Sequence, residues 1–317
     1  MPQPTKQQVH IDAALTNISV AYLQDADNFI ATKVFPVVNV RKQSDSYFTY
    51  DQGDFYRDGV QNRGPGTESA GSGWGQSTGT YNAKVWALHH DIDSQTRANY
   101  DVPLDADIDS TEFLTQQMMI RQDRDFVTNI FTTSTWTGST TASDITPGNL
   151  WDTVAGTPID DVAEQYDSIS EKTGYTPNTL VVGPEVFKEL KEHPDILDRI
   201  KYTERGIVTK DLLASLFEVD RVFVPRATYN TASENATDSF DFIYGKNALL
   251  LYVAPSPGVR TPSAGYTFRW SGDSTFQPGI SKFFMPQLKS DRVEIEEAWV
   301  QKQIGATLGV FFSAVVS

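Results

Sequence analysis

One stretch of this chain limits its folding options more than any other: residues 52–80. It holds eight of the 21 glycines: Gly53, Gly59, Gly64, Gly66, Gly71, Gly73, Gly75 and Gly79. Among them stand Phe55, Tyr56 and Trp74, and the charged Asp54, Arg57, Asp58, Arg63 and Glu68. Strand-like runs flank it on both sides. A compact domain rarely keeps so long an excursion unless it is a lid, a binding arm or a linker. Plain Gly/Ser linkers carry neither aromatics nor paired charges. The segment therefore reads as an arm that gains contacts outside its own domain, and it points to an assembling protein rather than a self-contained catalyst.

Composition narrows the class. The 317 residues suffice for two domains or one large core with insertions. At 39% hydrophobic, 21% charged and 12% aromatic residues, the chain is of the globular kind. No apolar run approaches the ~18 residues a bilayer span needs, so no membrane is expected as a partner. The longest run, 305–316, is interrupted by Gly, Thr and Ser and reads as buried strands. The start Met1-Pro2-Gln3-Pro4 lacks a charged head before an apolar core, so no secretory signal is expected. With no cysteine, disulfides and thiolate metal sites are excluded, which fits a reducing cytoplasm. The net charge is −15 and the 26 Lys and Arg are scattered, so there is no basic footprint for gripping DNA. A chain of this charge that meets nucleic acid encloses it and leaves it mobile.

Residues 1–40 read as an extended arm with one short helix around the polar, weakly periodic 5–17. Residues 27–40 form a docking segment bearing Phe29, Ile30, Val34, Phe35, Val37 and Val38, in which Pro36 argues against a central strand. Residues 46–51 suggest a short strand and 80–93 an alternating one. In the latter Tyr81, Ala83, Val85, Ala87 and His89 share one face. The two runs can pair as an antiparallel ribbon with the glycine-rich segment as its tip. The best helix is 109–132, with Asp109 as N-cap and Glu112 completing a capping box. Its stripe is Phe113, Ile120 and Val127, with Leu114, Ile130 and Phe131 beside it.

Residues 150–255 read as an α/β block. Pro158 opens a helix that buries Ile159, Val162, Tyr166 and Ile169 and stops at Gly174. A strand at 179–182, helices at 184–191, 194–201 and 210–217, and strands at 219–224, 240–244 and 248–253 follow. The remainder is mostly β, with alternation at 266–270 and 292–304.

No motif for chemistry survives scrutiny. Gly71-Ser72-Gly73-Trp74-Gly75 precedes a strand, not a helix, and no Gly-Lys-Ser/Thr follows, so it is no nucleotide loop. Asp105, Asp107 and Asp109 imitate the start of a calcium loop, but Ser110 and Gln116 stand where Gly and Glu are needed. These carboxylates suit the positive end of a helix instead. His89, Asp91 and Asp93 could share a strand face and hold a metal, the basis of an alternative reading as a metal-dependent hydrolase. His89 and His90 point to opposite faces, and a polar strand end is the simpler account. Gly75-Gln76-Ser77-Thr78-Gly79 has the Gly-x-Ser-x-Gly spacing but leads into a strand rather than a helix, so it is no nucleophile elbow, and Glu296 and Glu297 face opposite ways. Neither an enzyme nor a cofactor site is expected.

The order of elements, with three strings, carries a family resemblance. Asn28-Phe29-Ile30-Ala31-Thr32-Lys33-Val34-Phe35-Pro36-Val37 looks like an arm-to-loop junction, and Arg63-Gly64-Pro65-Gly66-Thr67-Glu68-Ser69 like a loop tip. Residues 178–187, Asn-Thr-Leu-Val-Val-Gly-Pro-Glu-Val-Phe, together with His193-Pro194, look like an axial-domain signature. Over essentially its whole length the chain resembles the major capsid proteins of tailed double-stranded DNA bacteriophages, the Hong Kong 97-type fold.

The resemblance implies an α+β fold: an N-terminal arm (1–45), an extended β-hairpin loop (46–93), a peripheral domain (94–154 and 256–317) with a spine helix near 109–132, and an axial α/β domain (155–255). It implies a structural protein that self-assembles into hexamers and pentamers of an icosahedral head enclosing DNA. Assembly in the bacterial cytoplasm and a place in the virion go with it, as do scaffolding, portal and decoration proteins as further partners. An encapsulin-like compartment is the alternative of the same fold. The loop contacts expected between subunits are Phe55, Tyr56, Arg57, Arg63, Glu68 and Trp74. Some family members weld neighbours through a Lys–Asn bond; residues 46–80 contain no lysine, so the lock expected here is noncovalent. Deleting residues 59–75 is predicted to abolish shell formation and leave a soluble, folded subunit. Normal particles in electron micrographs of that deletion would contradict the reading.

Overall fold

The computed structural model describes residues 23–100, 105–201, 208–258, 261–272 and 278–317. The helix expected within 5–17 lies outside the described residues. Two five-stranded sheets organise the rest. The first contains β1 (Val37–Val40), β4 (Lys84–Asp93), β11 (Gly265–Trp270), β12 (Gly279–Met285) and β13 (Ser290–Gln303). The second runs in the order β5 (Asp144–Ile145), β14 (Gly309–Phe312), β10 (Ala248–Leu251), β6 (Thr179–Val182) and β7 (Arg221–Phe223). Two ribbons stand apart: β2 (Ser44–Tyr50) with β3 (Gln76–Asn82), and β8 (Thr228–Asn230) with β9 (Phe240–Phe242).

The fourteen-residue β13 is the hub of the first sheet. It pairs antiparallel with β4 from Ser290↔Asp93 to Trp299↔Lys84, with β12 through Ser290–Glu296, and with β11 through Trp299–Gln303. β1 adds in parallel at the edge, immediately after Pro36. That is where a residue with no backbone donor is tolerated.

The long helix Ala106–Asn129 lies on this sheet; its 24 residues span about 36 Å. It begins earlier than the sequence suggests. Asp105, not Asp109, is the N-cap: its carboxylate accepts from the N–H groups of Asp107 and Ile108 at 2.9 and 3.4 Å. Asp109 already donates its N–H to the Asp105 carbonyl, one turn inside. Either aspartate is chemically fit to cap. The earlier start places Asp107 where Arg97 binds it through two nitrogens, at 2.8 and 3.0 Å, and Lys282 at 2.7 Å. These cations hold its carboxyl well below the usual range.

The buried stripe is Ala106, Ser110, Leu114, Met118, Gln122, Asp123 and Phe126, and Phe113 is 39% exposed. The stripe was hard to read because three of its members are polar. The helix ends at Asn129, where the indole of Trp136 donates to the Ile130 carbonyl at 2.8 Å.

Sequence 80–93, read as one strand, is two. β3 pairs with β2, β4 pairs with β13, and Ala83 between them is fully buried. Gln43 grips it from both sides: the Ala83 N–H donates to the Gln43 carbonyl (2.8 Å), and the Gln43 side chain donates to the Ala83 carbonyl (3.0 Å). Across this joint the inward face changes parity, from Tyr81 and Ala83 to Trp86, Leu88, His90 and Ile92. Alternation by itself cannot report such a switch.

In the second sheet, Leu249 and Leu250 of the central β10 are flanked by Val181 and Leu180 of β6 and by Phe311 and Val310 of β14, all buried. Strands so uniformly apolar need cover on both faces. Helices Pro158–Thr173, Pro184–Glu192, Pro194–Ile200 and Lys210–Leu216 share their core. Gly174 ends the first of these helices at φ 68°, the left-handed cap the sequence predicts. β14 lies here rather than with β11–β13. The two sheets meet at the end of the long helix, where Phe126 packs edge-on against Phe35 at 5.2 Å and also faces Tyr244. Replacing Phe126 by Ala should lower the free energy of unfolding by about 3–5 kcal/mol in urea titrations. A loss below ~1 kcal/mol would show that this junction is not a core.

Candidate assembly surface

The arm is anchored at its base and open at its tip. β2 and β3 pair from Ser44↔Asn82 to Tyr50↔Gln76. At the middle of the ribbon Tyr47 faces Gly79, and its ring occupies the space where a Cβ at Gly79 would stand. A cross-strand aromatic covers a strand glycine in this way and fixes the register. Tyr47 and Tyr81 both stack on Phe268 of β11, with ring centroids 5.9 and 4.7 Å away. The arm therefore leaves the body from a buried aromatic anchor.

Beyond the ribbon, Asp51 caps the short helix Gln52–Phe55 by accepting the Gly53 N–H at 2.9 Å. Asp54 closes the neck by accepting the Gly75 N–H at 2.8 Å, and it pairs with Arg57 at 3.7 Å. Phe55 packs edge-on against Tyr50 and lies 6.0 Å from Trp74. The far turn, Gly64 to Thr67, has Pro65 then Gly66 at φ 79°, with the Thr67 N–H donating to the Gly64 carbonyl. Pro followed by a positive-φ Gly is the chemistry of a type II turn. The Arg63 guanidinium donates to the Thr67 carbonyl.

Every residue from Phe55 to Thr78 is exposed. Phe55, Tyr56 and Trp74 keep 57, 57 and 64% of their surface in solvent, and Val60 keeps 90%. The structure gathers Phe55, Tyr56, Arg57 and Trp74 at the neck, while Arg63 and Glu68 stand at the far turn. Sequence reasoning missed Phe48 on the outer face of β2 (68% exposed) and the exposed Ile280, Phe283, Phe284 and Leu288 of the β12–β13 hairpin. Phe240 and Phe242 of β9 are exposed as well. Grouped apolar residues on projecting elements mark interaction surfaces.

The neck also touches its own subunit. The last carbonyls of an α-helix lack intrahelical donors. At the end of helix Pro158–Thr173, Gly174 supplies one N–H, to Ser170. The Lys172 and Thr173 carbonyls accept from the Gln52 amide and the Tyr56 hydroxyl. The arm thus has contacts inside its own chain that the sequence did not predict.

The histidine–carboxylate cluster is spoken for. Asp91 accepts from Nε and Nη2 of Arg292, at 2.7 and 2.8 Å, and its carboxyl is shifted down mainly by that pairing. Asp93 caps helix Ser94–Ala98, accepting from Gln95 and Thr96. His89 is exposed, whereas His90 turns inward to the Ser110 hydroxyl at 2.9 Å. Burial pushes the His90 pKa down. Among the described residues no three His, Asp or Glu side chains converge on a metal-sized site.

Changing Gln52 to Ala together with Tyr56 to Phe removes both bonds to the helix end, each worth about 1 kcal/mol. Tryptic cleavage after Arg57 and Arg63 should accelerate by up to roughly thirtyfold, and the thermal midpoint of the body should move by less than about 2 °C. An unchanged cleavage rate would show that this clamp does not restrain the arm.

No family model matches the chain. Over 127 residues it is 40% identical to the major capsid protein of Burkholderia phage BcepMu. The match covers 38% of this chain, which spans only 40% of the length of that relative. Among solved structures, a phage-related protein of Bordetella bronchiseptica superimposes with a TM-score of 0.69 at 21% identity, covering 93% of this chain and 94% of that one. The mature capsid of bacteriophage PhiM1 gives a TM-score of 0.59 at 12% identity, covering 96 and 92%. The SrpI encapsulin of Synechococcus elongatus gives 0.55 at 12% identity, covering 96 and 95%. These superpositions cover more than nine-tenths of the chain, and the chain has the Hong Kong 97-type capsid fold.

Proposed function

We propose that this chain is a major capsid protein, a structural subunit that self-assembles into the icosahedral head of a tailed phage around double-stranded DNA. The observation that carries the reading is the arm: fixed to the body by Tyr47, Tyr81 and Phe268, it leaves Phe55, Tyr56, Val60 and Trp74 uncovered. A monomer gains little by holding such a surface in water, whereas a neighbouring copy would bury it. The capsid protein of BcepMu, 40% identical over its matched stretch, supports the same role. In this reading hexamers and pentamers interlock through noncovalent arm contacts, with Arg57, Arg63 and Glu68 supplying polar partners. The shell belongs to the virion and is built in the host cytoplasm; scaffolding, portal and decoration proteins would join it there. The role is structural, with no catalytic step.

The net charge of −15 suits a wall that does not bind the enclosed DNA tightly. The likeness to an encapsulin supports a second reading, a compartment around protein cargo. Negative-stain images of the purified, concentrated protein should show uniform closed particles, and particles from infected cells should contain nuclease-protected DNA. Particles filled with a single enzyme would favour the compartment, and a dispersed monomer at all concentrations would contradict both.

A further inference from the structure

The long helix carries a buried acid that the shell reading does not use. Asp123 is 1% exposed. Its two carboxylate oxygens accept the backbone N–H groups of Ala31 and Ile30, at 3.0 and 3.1 Å. Those donors open the short helix Ala31–Val34, whose own N-cap, Ile30, has no side-chain acceptor. One carboxylate thus does the capping for a segment more than 90 positions away in sequence. Around it Phe29, Ile30, Ala31, Val34 and Phe35 dock into the core.

The site supplies hydrogen bonds, and among the described residues no cationic side chain pairs with the carboxylate. Lys33, whose charge acts on the carboxylate, is drawn off to Asp27 at 2.7 Å. The Tyr244 hydroxyl, wholly buried, faces the carboxylate and has no other partner among the described residues. From β13, Gln301 reaches only the Gln122 carbonyl, and Glu297 is taken by Gln122 and Arg269. An ionised carboxylate in such a place bears the cost of burial without a counter-ion. A protonated one keeps an acceptor for the backbone and gains an O–H to share with Tyr244.

We propose that Asp123 is a proton-operated latch on the N-terminal docking segment: neutral, it holds residues 29–35 against the long helix, and ionised, it loosens them. The direction agrees with its titration, which burial raises from the ordinary carboxylate range to about 6, against the opposing pull of the two backbone bonds. A folded-state pKa above the unfolded one means the docked state takes up a proton between the two values. Docking is therefore strongest below the ordinary aspartate range and weakens as pH rises through about 6.

The test is hydrogen exchange of the Ile30, Ala31 and Val34 amides in the full chain from pH 5 to pH 8, corrected for intrinsic exchange. Protection should fall about tenfold between pH 5 and pH 7 and then level off. Asp123→Asn, which cannot ionise, should give a flat profile over that range. A flat profile in the unsubstituted chain overturns the proposal whether or not the variant folds, and so does a variant that keeps the slope.

Discussion

Phe126 lies where three parts of the chain meet: the N-terminal docking segment through Phe35, the long helix on which it stands, and the second sheet through Tyr244. Phe131 extends the contact, packing edge-on against Tyr244 and Phe311 at 5.3 Å each. Each such ring contributes roughly 1.5–3 kcal/mol by leaving water, a large share of the 5–15 kcal/mol by which domains are normally stable. More than stability depends on this seam. It sets the position of the first sheet, from which the arm springs, against the α/β block, whose helix end Gln52 and Tyr56 reach. If the seam loosened, the arm would have no fixed origin.

The arm itself combines two opposed properties. Its base is rigid because Tyr47, Tyr81 and Phe268 stack, and its tip is adaptable because glycines leave the backbone few steric limits. A projecting element with a fixed root and a compliant, aromatic end can fit slightly different neighbours around five- and six-fold axes. In the proposed shell its grip would come from surface burial spread over many copies, not from one strong bond. The tether to the end of helix Pro158–Thr173 gives it a resting place on its own subunit, one that contact with a neighbour would have to replace or extend.

Where local chemistry decides, the sequence was legible. Pro158 and Gly174 bound their helix within one residue, and the four-residue run at Thr179–Val182 is a strand as read, because such signals act within a few positions. Where two local solutions compete, tertiary contacts chose: Asp105 and Asp109 could each cap, and Arg97 with Lys282 favour the earlier start. The break at Ala83 and the polar members of the helix stripe, Ser110, Gln122 and Asp123, were hidden because their partners lie far away in sequence. β12 went unread because most of it is exposed on both faces and shows no alternation. The arm's glycines and aromatics were visible at once, but its docking on the Lys172 and Thr173 carbonyls was not, since a helix end carries no residue signature for its acceptors.

Cross-linking from the arm tests the central claim most directly. With a photoreactive phenylalanine analogue in place of Trp74, assembled particles should yield a ladder of covalently joined subunits on denaturing gels after illumination. The same chain kept dilute and unassembled should yield single subunits. Particles that assemble normally and yet give only single-subunit bands would show that the arm tip does not lie on a neighbour, and would contradict the account of this chain as a shell held together by its arms.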